Sequence, residues 1–256
     1  FKKLYTGGAP VFPDLLRRLR MVLPNCTIHS VYGSTEAEPI ADFSAEDYDE
    51  EITMITREGG GLCSGFPVPE IDLKIMIDRW GTPLGPVSES EFLELTVPRG
   101  NAGEIIVAGE HVLQRYLGGI GEEETKILAN GRVWHRTGDA GWQDAQGRVW
   151  LLGRCAQKLT ATSMTDNFSE AAPQYSFAIE CALREIFPNI RMAAIDLDNQ
   201  RTLIIGKKYD TESAAAIISI AKSLGVQQVI FIKKIPLDLR HNAKIDYPTL
   251  RKILKK

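Results

Sequence analysis

Between Pro13 and Pro24, the apolar residues Leu15, Leu16, Leu19, Val22 and Leu23 recur at helical spacing, and a helix is predicted over 12–23. Residues 27–32 read as a short strand. A helix followed by a strand fits the end of an α/β layer with a parallel sheet. Glu46, Asp47, Asp49, Glu50 and Glu51 then form an acidic run, which reads as a solvated loop or helix face and not as a metal cluster. Beyond Gly59-Gly60-Gly61 the period changes. Ile71, Leu73, Ile75 and Ile77 alternate with Asp72, Lys74, Met76 and Asp78, which predicts a strand. Further strands are expected over 91–97, 103–108 and 132–136. A hairpin is expected over 142–152, turning at Ala145-Gln146-Gly147. Many short strands separated by glycine turns predict a distorted β-barrel beside the α/β layer.

A second unit is predicted to start just after Arg154. Ile179, Ala182, Leu183, Ile186 and Phe187 form a helical stripe closed by Pro188, and a stripe of this kind packs a core. A hairpin over 190–205 turns at Asp198-Asn199-Gln200. A helix over 211–224 is stopped by Gly225. A strand over 226–235 and a helix over 247–254 complete a small α+β unit. Two domains follow, 1–154 and 155–256.

Bulk properties narrow the class. The 256 residues are 44% hydrophobic and 25% charged, as in ordinary globular chains. A net charge of −3 argues against a nucleic-acid partner, which usually calls for a basic face. Cys26, Cys63, Cys155 and Cys181 are scattered, which speaks against a zinc site or a disulfide framework and fits a reducing cytoplasm. No apolar run approaches the ~18 residues of a transmembrane segment. His29, His111, His135 and His241 show no spacing of a metal site or of a nucleophile–base pair.

Four segments carry candidate chemistry. The first is Trp134-His135-Arg136-Thr137-Gly138-Asp139, followed by a hairpin and Gly153-Arg154. Its Thr-Gly-Asp turn is expected to end a strand and present one carboxylate. A carboxylate can accept two hydrogen bonds from a vicinal diol such as a ribose, and an arginine beside it can donate to ribose or phosphate oxygens. The second is Ser30-Val31-Tyr32-Gly33-Ser34-Thr35-Glu36, read as a buried strand ending in a glycine turn. The third is Leu4-Tyr5-Thr6-Gly7-Gly8-Ala9-Pro10, a strand running into a glycine pair. The last is Arg240-His241-Asn242-Ala243-Lys244-Ile245-Asp246, a polar loop before the final helix.

In this order the four segments resemble the adenylate-forming superfamily: acyl-CoA synthetases, fatty-acid AMP ligases, luciferases and peptide-synthetase adenylation domains. The Arg-His-Asn-Ala-Lys-Ile form of the last motif is similar to the fatty-acyl branch that includes β-lactone synthetases of olefin biosynthesis. The resemblance implies a fold of three parts: the end of a large α/β domain, its distorted barrel, and a small mobile α+β lid. It implies ATP or AMP, Mg2+ and coenzyme A as cofactors, and a small-molecule carboxylic acid, fatty acyl in kind, as substrate.

The resemblance also implies roles. Tyr32 would stack on adenine, Gly33 would let the backbone approach the nucleotide, and Thr35 would meet a phosphate. Glu36 would ligate magnesium, which binds through few carboxylates and keeps several waters. Gly7 and Gly8 would line the wall between nucleotide and acyl group. Asp139 and Arg154 would hold the ribose. Lys244 would be catalytic, neutralising the repulsion between the attacking carboxylate and the α-phosphate. The second step would be transfer to coenzyme A or internal lactonisation of a β-hydroxy acid. A non-catalytic adenylate-binding homologue is a third alternative.

The sequence departs from the family pattern in two places. After Gly153-Arg154 the usual nearby lysine and glycine are replaced by Cys155-Ala156-Gln157-Lys158-Leu159-Thr160, and Glu180 comes late. The missing glycine bears on the thioester step, because in the family it lines the pantetheine tunnel. The family's phosphate loop, which ends Pro-Lys-Gly upstream of the Gly7-Gly8 position, is also absent. The chain is therefore expected to be the C-terminal part of a longer enzyme, inactive without the N-terminal part of the same protein.

Overall fold

The computed structural model describes residues 1–159, 174–206, 211–239 and 244–255. It opens with β1 (Lys3–Thr6), α1 (Pro13–Val22) and β2 (Thr27–Ser34), and the two strands pair in parallel across the helix. Pro13 sits in the first turn of α1, where its missing N–H costs nothing. The helix buries Leu16 against Ile28 and Phe43. After Thr35 and Glu36 the chain returns antiparallel as β3 (Ala37–Ser44). The acidic run enters α2 (Glu50–Ile55), where the Asp49 carboxylate accepts from the Ile52 N–H at 2.8 Å and caps the helix. Among the described residues, no group of three or more His, Cys, Asp or Glu side chains is placed to hold a metal ion.

Next come β4 (Leu62–Cys63), β5 (Phe66–Pro67), β6 (Ile71–Met76), α3 (Glu89–Leu95) and β7 (Gly103–Gly109). After them come α4 (Glu122–Thr125), β8 (Lys126–Ala129), β9 (Arg132–Gln143) and β10 (Val149–Arg154). One sheet has the order β1-β2-β3-β5. A six-stranded antiparallel sheet has the order β4-β10-β9-β7-β6, with β8 branching from β9.

One expectation changes here, and closure of the distorted barrel is not seen: the edge strands β4 and β6 of the second sheet do not pair among the described residues. Register shifts between Glu104 and Ile106 and between Leu151 and Gly153 bend the sheet, yet β8 and β10 lie along the same β9 without closing it. Residues 91–97 are not a strand. Glu89–Leu95 is helical, with a Ser88/Glu91 capping box, and it buries Phe92 and Leu95 one turn apart against Met76 and Ile106.

The remaining elements are α5 (Ser176–Ile186), β11 (Met192–Leu197), β12 (Gln200–Gly206), α6 (Thr211–Ser223), β13 (Gln228–Ile232) and α7 (Tyr247–Leu254). The hairpin between β11 and β12 turns at Asp198 (φ 50°) and Asn199 (φ 59°), both left-handed, as a two-residue loop requires. β13 adds in parallel to β12. The pleat sorts the side chains: Met192 and Ala194 face α5 and α6, while Ala193 and Ile195 face Leu250 of α7. Ala178 and the neighbouring Tyr175 also share an apolar cluster with Ala140, Leu152 and Cys155, which ties α5 to β9 and β10.

Candidate active site

Asp139 lies inside β9, not at a strand end as the sequence reading had it. Gly138 makes the local kink with φ +68°, and a Cβ there would come within 2.8 Å of the Trp80 ring. A side chain at that position would be strained twice over. Thr137 locks the kink. Its hydroxyl donates to the Ile105 carbonyl at 2.8 Å and accepts from the Asp139 N–H at 3.0 Å. β10 then sets Arg154 directly opposite Asp139 in the ladder. Arg154 Nε lies 3.1 Å from Asp139 Oδ1, and the guanidinium also donates to the Thr137 carbonyl at 3.3 Å.

Tyr32 approaches from the other sheet. Its hydroxyl donates to Asp139 Oδ2 at 2.8 Å, so each carboxylate oxygen has one partner. Burial pushes the Asp139 carboxyl above its ordinary value, opposed by Arg154, by the Tyr32 bond and by the field of Lys244. Burial and the neighbouring Asp139 charge likewise push the Tyr32 phenol up.

Gly8, Tyr32, Gly33, Asp139, Arg154 and Lys244 all line one cleft of about 430 Å3. Thus residues scattered from one end of the sequence to the other meet in one place. Gly33 lies within β2, where a Cβ would sit 2.9 Å from the Ala37 carbonyl oxygen; the expected glycine turn comes instead at Thr35 and Glu36. Gly7 is held as tightly, 2.7 Å from the Val31 oxygen, whereas Gly8 (φ +77°) has open space where its Cβ would be.

Thr35 and Glu36 are not among the cleft-lining residues. Thr35 is exposed. Glu36 Oε1 accepts from the Tyr116 hydroxyl at 3.1 Å. Partial burial pushes its carboxyl up, but hydrogen bonds from its own backbone, Tyr116 and Ser34 outweigh that and hold it below the ordinary value. Tyr116 in turn lies under Lys126, whose Nζ is 5.1 Å from the ring centroid and 3.3 Å from His135 Nδ1. Burial and that lysine push His135 down to about 4, so the ring is neutral and structural.

Tyr116, Glu180 and Tyr247 escaped the sequence reading as site residues. Glu180 and Tyr247 line the cleft. Burial pushes the Glu180 carboxyl up to about 8, against hydrogen bonds from Tyr247 and Ala194. Tyr247 directly follows the last motif, but no local spacing links Tyr116 or Glu180 to any of the four. Where the second unit is expected to start, just after Arg154, lies a short 3-10 turn, Cys155–Gln157. Arg240, His241, Asn242 and Ala243 lie outside the described residues, as does most of the stretch before Glu180 where a family lysine and glycine were sought.

The family model of AMP-binding enzymes matches residues 1–117. The olefin β-lactone synthetase of Stenotrophomonas maltophilia is 28% identical over 95% of this chain and 45% of its own length. Residues 1–117 thus resemble AMP-binding enzymes, and the chain as a whole is similar to members of the adenylate-forming superfamily. The 2-succinylbenzoate–CoA ligase of Arabidopsis thaliana is 27% identical over 60% of this chain and 26% of its own. Among solved structures, amide bond synthetase McbA from Marinactinospora thermotolerans superposes with a TM-score of 0.67 at 23% identity, covering 98% of this chain and 47% of its own. A benzoate CoA ligase from Burkholderia xenovorans gives a TM-score of 0.65 at 16% identity, over 98% of this chain and 45% of its own. At these identities the superpositions speak for the fold. The chain thus spans about half the length of the relatives it matches across its whole extent.

Proposed function

We propose that this chain is the C-terminal part of an ATP-dependent, AMP-forming carboxylic acid ligase. In this reading 1–154 ends the large nucleotide-binding domain and 155–256 is its mobile lid. The observation that carries it is the convergence of Asp139, Arg154 and Lys244 on one cleft. The donor set fits a nucleotide. Asp139 offers two acceptor oxygens to a ribose diol, Arg154 offers donors beside it, and Gly8 leaves room for close approach. Bound ATP supplies the α-phosphate that the acid attacks as pyrophosphate leaves. Lys244 places a positive charge between the two anions that must approach. Glu36 is the proposed magnesium ligand, and to serve phosphates in the cleft its carboxylate would have to leave the Tyr116 hydroxyl and turn towards it. Tyr32 stands at the cleft wall, where its ring can meet the base while its hydroxyl steadies Asp139.

The acid is fatty acyl in this reading, and the default second step is transfer to coenzyme A in the cytoplasm. Internal lactonisation of a β-hydroxy acid is the second reading. One observation favours it: in sequence the two olefin β-lactone synthetases align over 95% and 94% of this chain, whereas the CoA ligases matched in sequence align over about 60%. ATP–pyrophosphate exchange on the full-length protein with a panel of acids tests the first step. Product analysis with and without coenzyme A then separates the two second steps. Absence of exchange with every acid would leave an adenylate-binding protein without ligase activity.

A further inference from the structure

Three backbone contacts shape the lysine-bearing loop. The Asp238 N–H donates to the Lys244 carbonyl at 2.9 Å, the Asp246 N–H donates to the Pro236 carbonyl at 3.0 Å, and Leu237 bridges Ile245. The Asp246 carboxylate caps α7 by accepting from the Thr249 N–H at 2.9 Å. These bonds fix the conformation of the loop, but they do not dock it against anything else.

Docking comes from several contacts: Ile245 of the loop and Leu254 of α7 pack against one apolar cluster, and Arg251 Nη1 donates to the Asp196 carbonyl at 2.9 Å. Leu250 enters the apolar cluster of Ala193, Ile195, Ile204 and Ile235. On the cleft side, the Tyr247 hydroxyl donates to Glu180 Oε1 at 2.5 Å, and the same oxygen accepts the Ala194 N–H at 2.9 Å. Glu180 is 8% exposed and belongs to α5, the helix whose Ala178 packs with Ala140, the residue after Asp139. Partly along the chain and partly through these contacts, Lys244 is therefore linked by way of Tyr247 and Glu180 to the strand that carries Asp139. Glu180 is also an expensive residue to bury. An acid in a site like this is held neutral or must be paired, and an apolar residue would pack more cheaply.

We infer that Glu180 and Tyr247 are positioning residues for Lys244, their hydrogen bond setting where the lysine stands over the cleft. The inference rests on the reading that Lys244 serves adenylation. It differs from a plain stabilising role in one respect: the loss on cutting the bond must pass through the lysine. A lysine carried on a loosely held loop spends less of its time at the phosphate, so the rate falls while nucleotide binding at Asp139 stays the same.

The test is a cycle of variants in the full-length protein, read as single-turnover acyl-adenylate formation and as AMP affinity. Tyr247→Phe, which removes only the hydroxyl, is expected to slow adenylation about tenfold at unchanged AMP affinity. Glu180→Leu should do the same. Glu180→Gln, whose amide oxygen keeps both acceptor bonds, should recover most of the rate. Tyr247→Phe combined with Lys244→Ala should be no slower than Lys244→Ala alone.

A full tenfold loss on top of Lys244→Ala would overturn the inference, because the bond would then act independently of the lysine. So would a Glu180→Gln variant as slow as Glu180→Leu, or a Tyr247→Phe variant at the wild-type rate. If Lys244→Ala itself adenylates at the wild-type rate, the functional reading fails and takes the inference with it, an outcome distinct from the others. A second readout needs no turnover. Acetylation of Lys244 by an amine-reactive reagent, followed by mass spectrometry, should be slowed by ATP in the wild type and much less so in Tyr247→Phe. Equal protection in both would also count against the inference.

Discussion

Tyr32 and Asp139 stand 107 positions apart in the chain, and the phenol of one donates to the carboxylate of the other at 2.8 Å. The two residues belong to different sheets, so this bond joins the α/β layer to the antiparallel sheet at the cleft. Asp139→Ala removes both the acceptor for a ribose diol and the partner of Tyr32 and Arg154. Nucleotide affinity should fall by roughly 1.5–3 kcal/mol, the range for a charged hydrogen-bond partner. Tyr32→Phe takes away one donor and should cost about 1 kcal/mol or less. Titration calorimetry with AMP measures both. Wild-type affinity in Asp139→Ala would remove the ribose assignment.

Lys244→Ala should slow acyl-adenylate formation a hundredfold or more, about 2.7 kcal/mol, because one preorganised charge is lost from the transition state. The second step, started from supplied acyl-adenylate, should keep most of its rate if the lysine serves only the first. Measuring the half-reactions separately decides the point. An equal loss in both would mean that the lysine holds the adenylate throughout.

The amphipathic helices, the parallel β1–β2 pair and the β11–β12 hairpin could be read from periodicity and turn residues, since each is a local pattern. Residues 91–97 show where that reading fails. Phe92, Leu93, Leu95 and Val97 fit a strand about as well as a helix, and the deciding signal was Ser88 with Glu91 three residues on. The four motifs named Gly8, Tyr32, Gly33, Asp139, Arg154 and Lys244 of the cleft, but also Gly7, Thr35 and Glu36, which do not line it; the Glu180–Tyr247 bond had no local signature, because it joins positions 67 apart. Sheet closure was equally out of reach, since it depends on which strands share an edge.

Glu180 predicts a pH dependence of stability. Its carboxyl titrates near 8 in the fold, against about 4.5 in an unfolded chain. Between those values the folded state holds the extra proton, so stability is full below about pH 4.5 and falls as pH rises towards 8. Glu180→Gln cannot ionise. Its melting temperature should therefore decline less than the wild type's between pH 5 and 9. Parallel declines in thermal melts of the two proteins would contradict this.

Arg136 and Glu104 form an ion pair with both side chains fully buried, Nη2 to Oε2 at 2.7 Å. Burial pushes the Glu104 carboxyl up, and Arg136 offsets part of that. Arg136→Met should destabilise the protein by about 3–5 kcal/mol, because a buried carboxylate loses its partner. Replacing both residues with Met should cost less than the single change. Urea unfolding of the two variants checks the order, and a double variant weaker than the single would refute it.

Arg154 is the last residue of β10 and the residue from which the Cys155–Gln157 turn departs. Its side chain grips Asp139 while its main chain leads out of the sheet towards α5. Under the proposed function, the ribose clamp and the pivot of the C-terminal segment would be one amino acid. A torsion applied at that point would then twist the clamp as well, gearing the grip on nucleotide to the direction in which the chain leaves the sheet, with no relay between them.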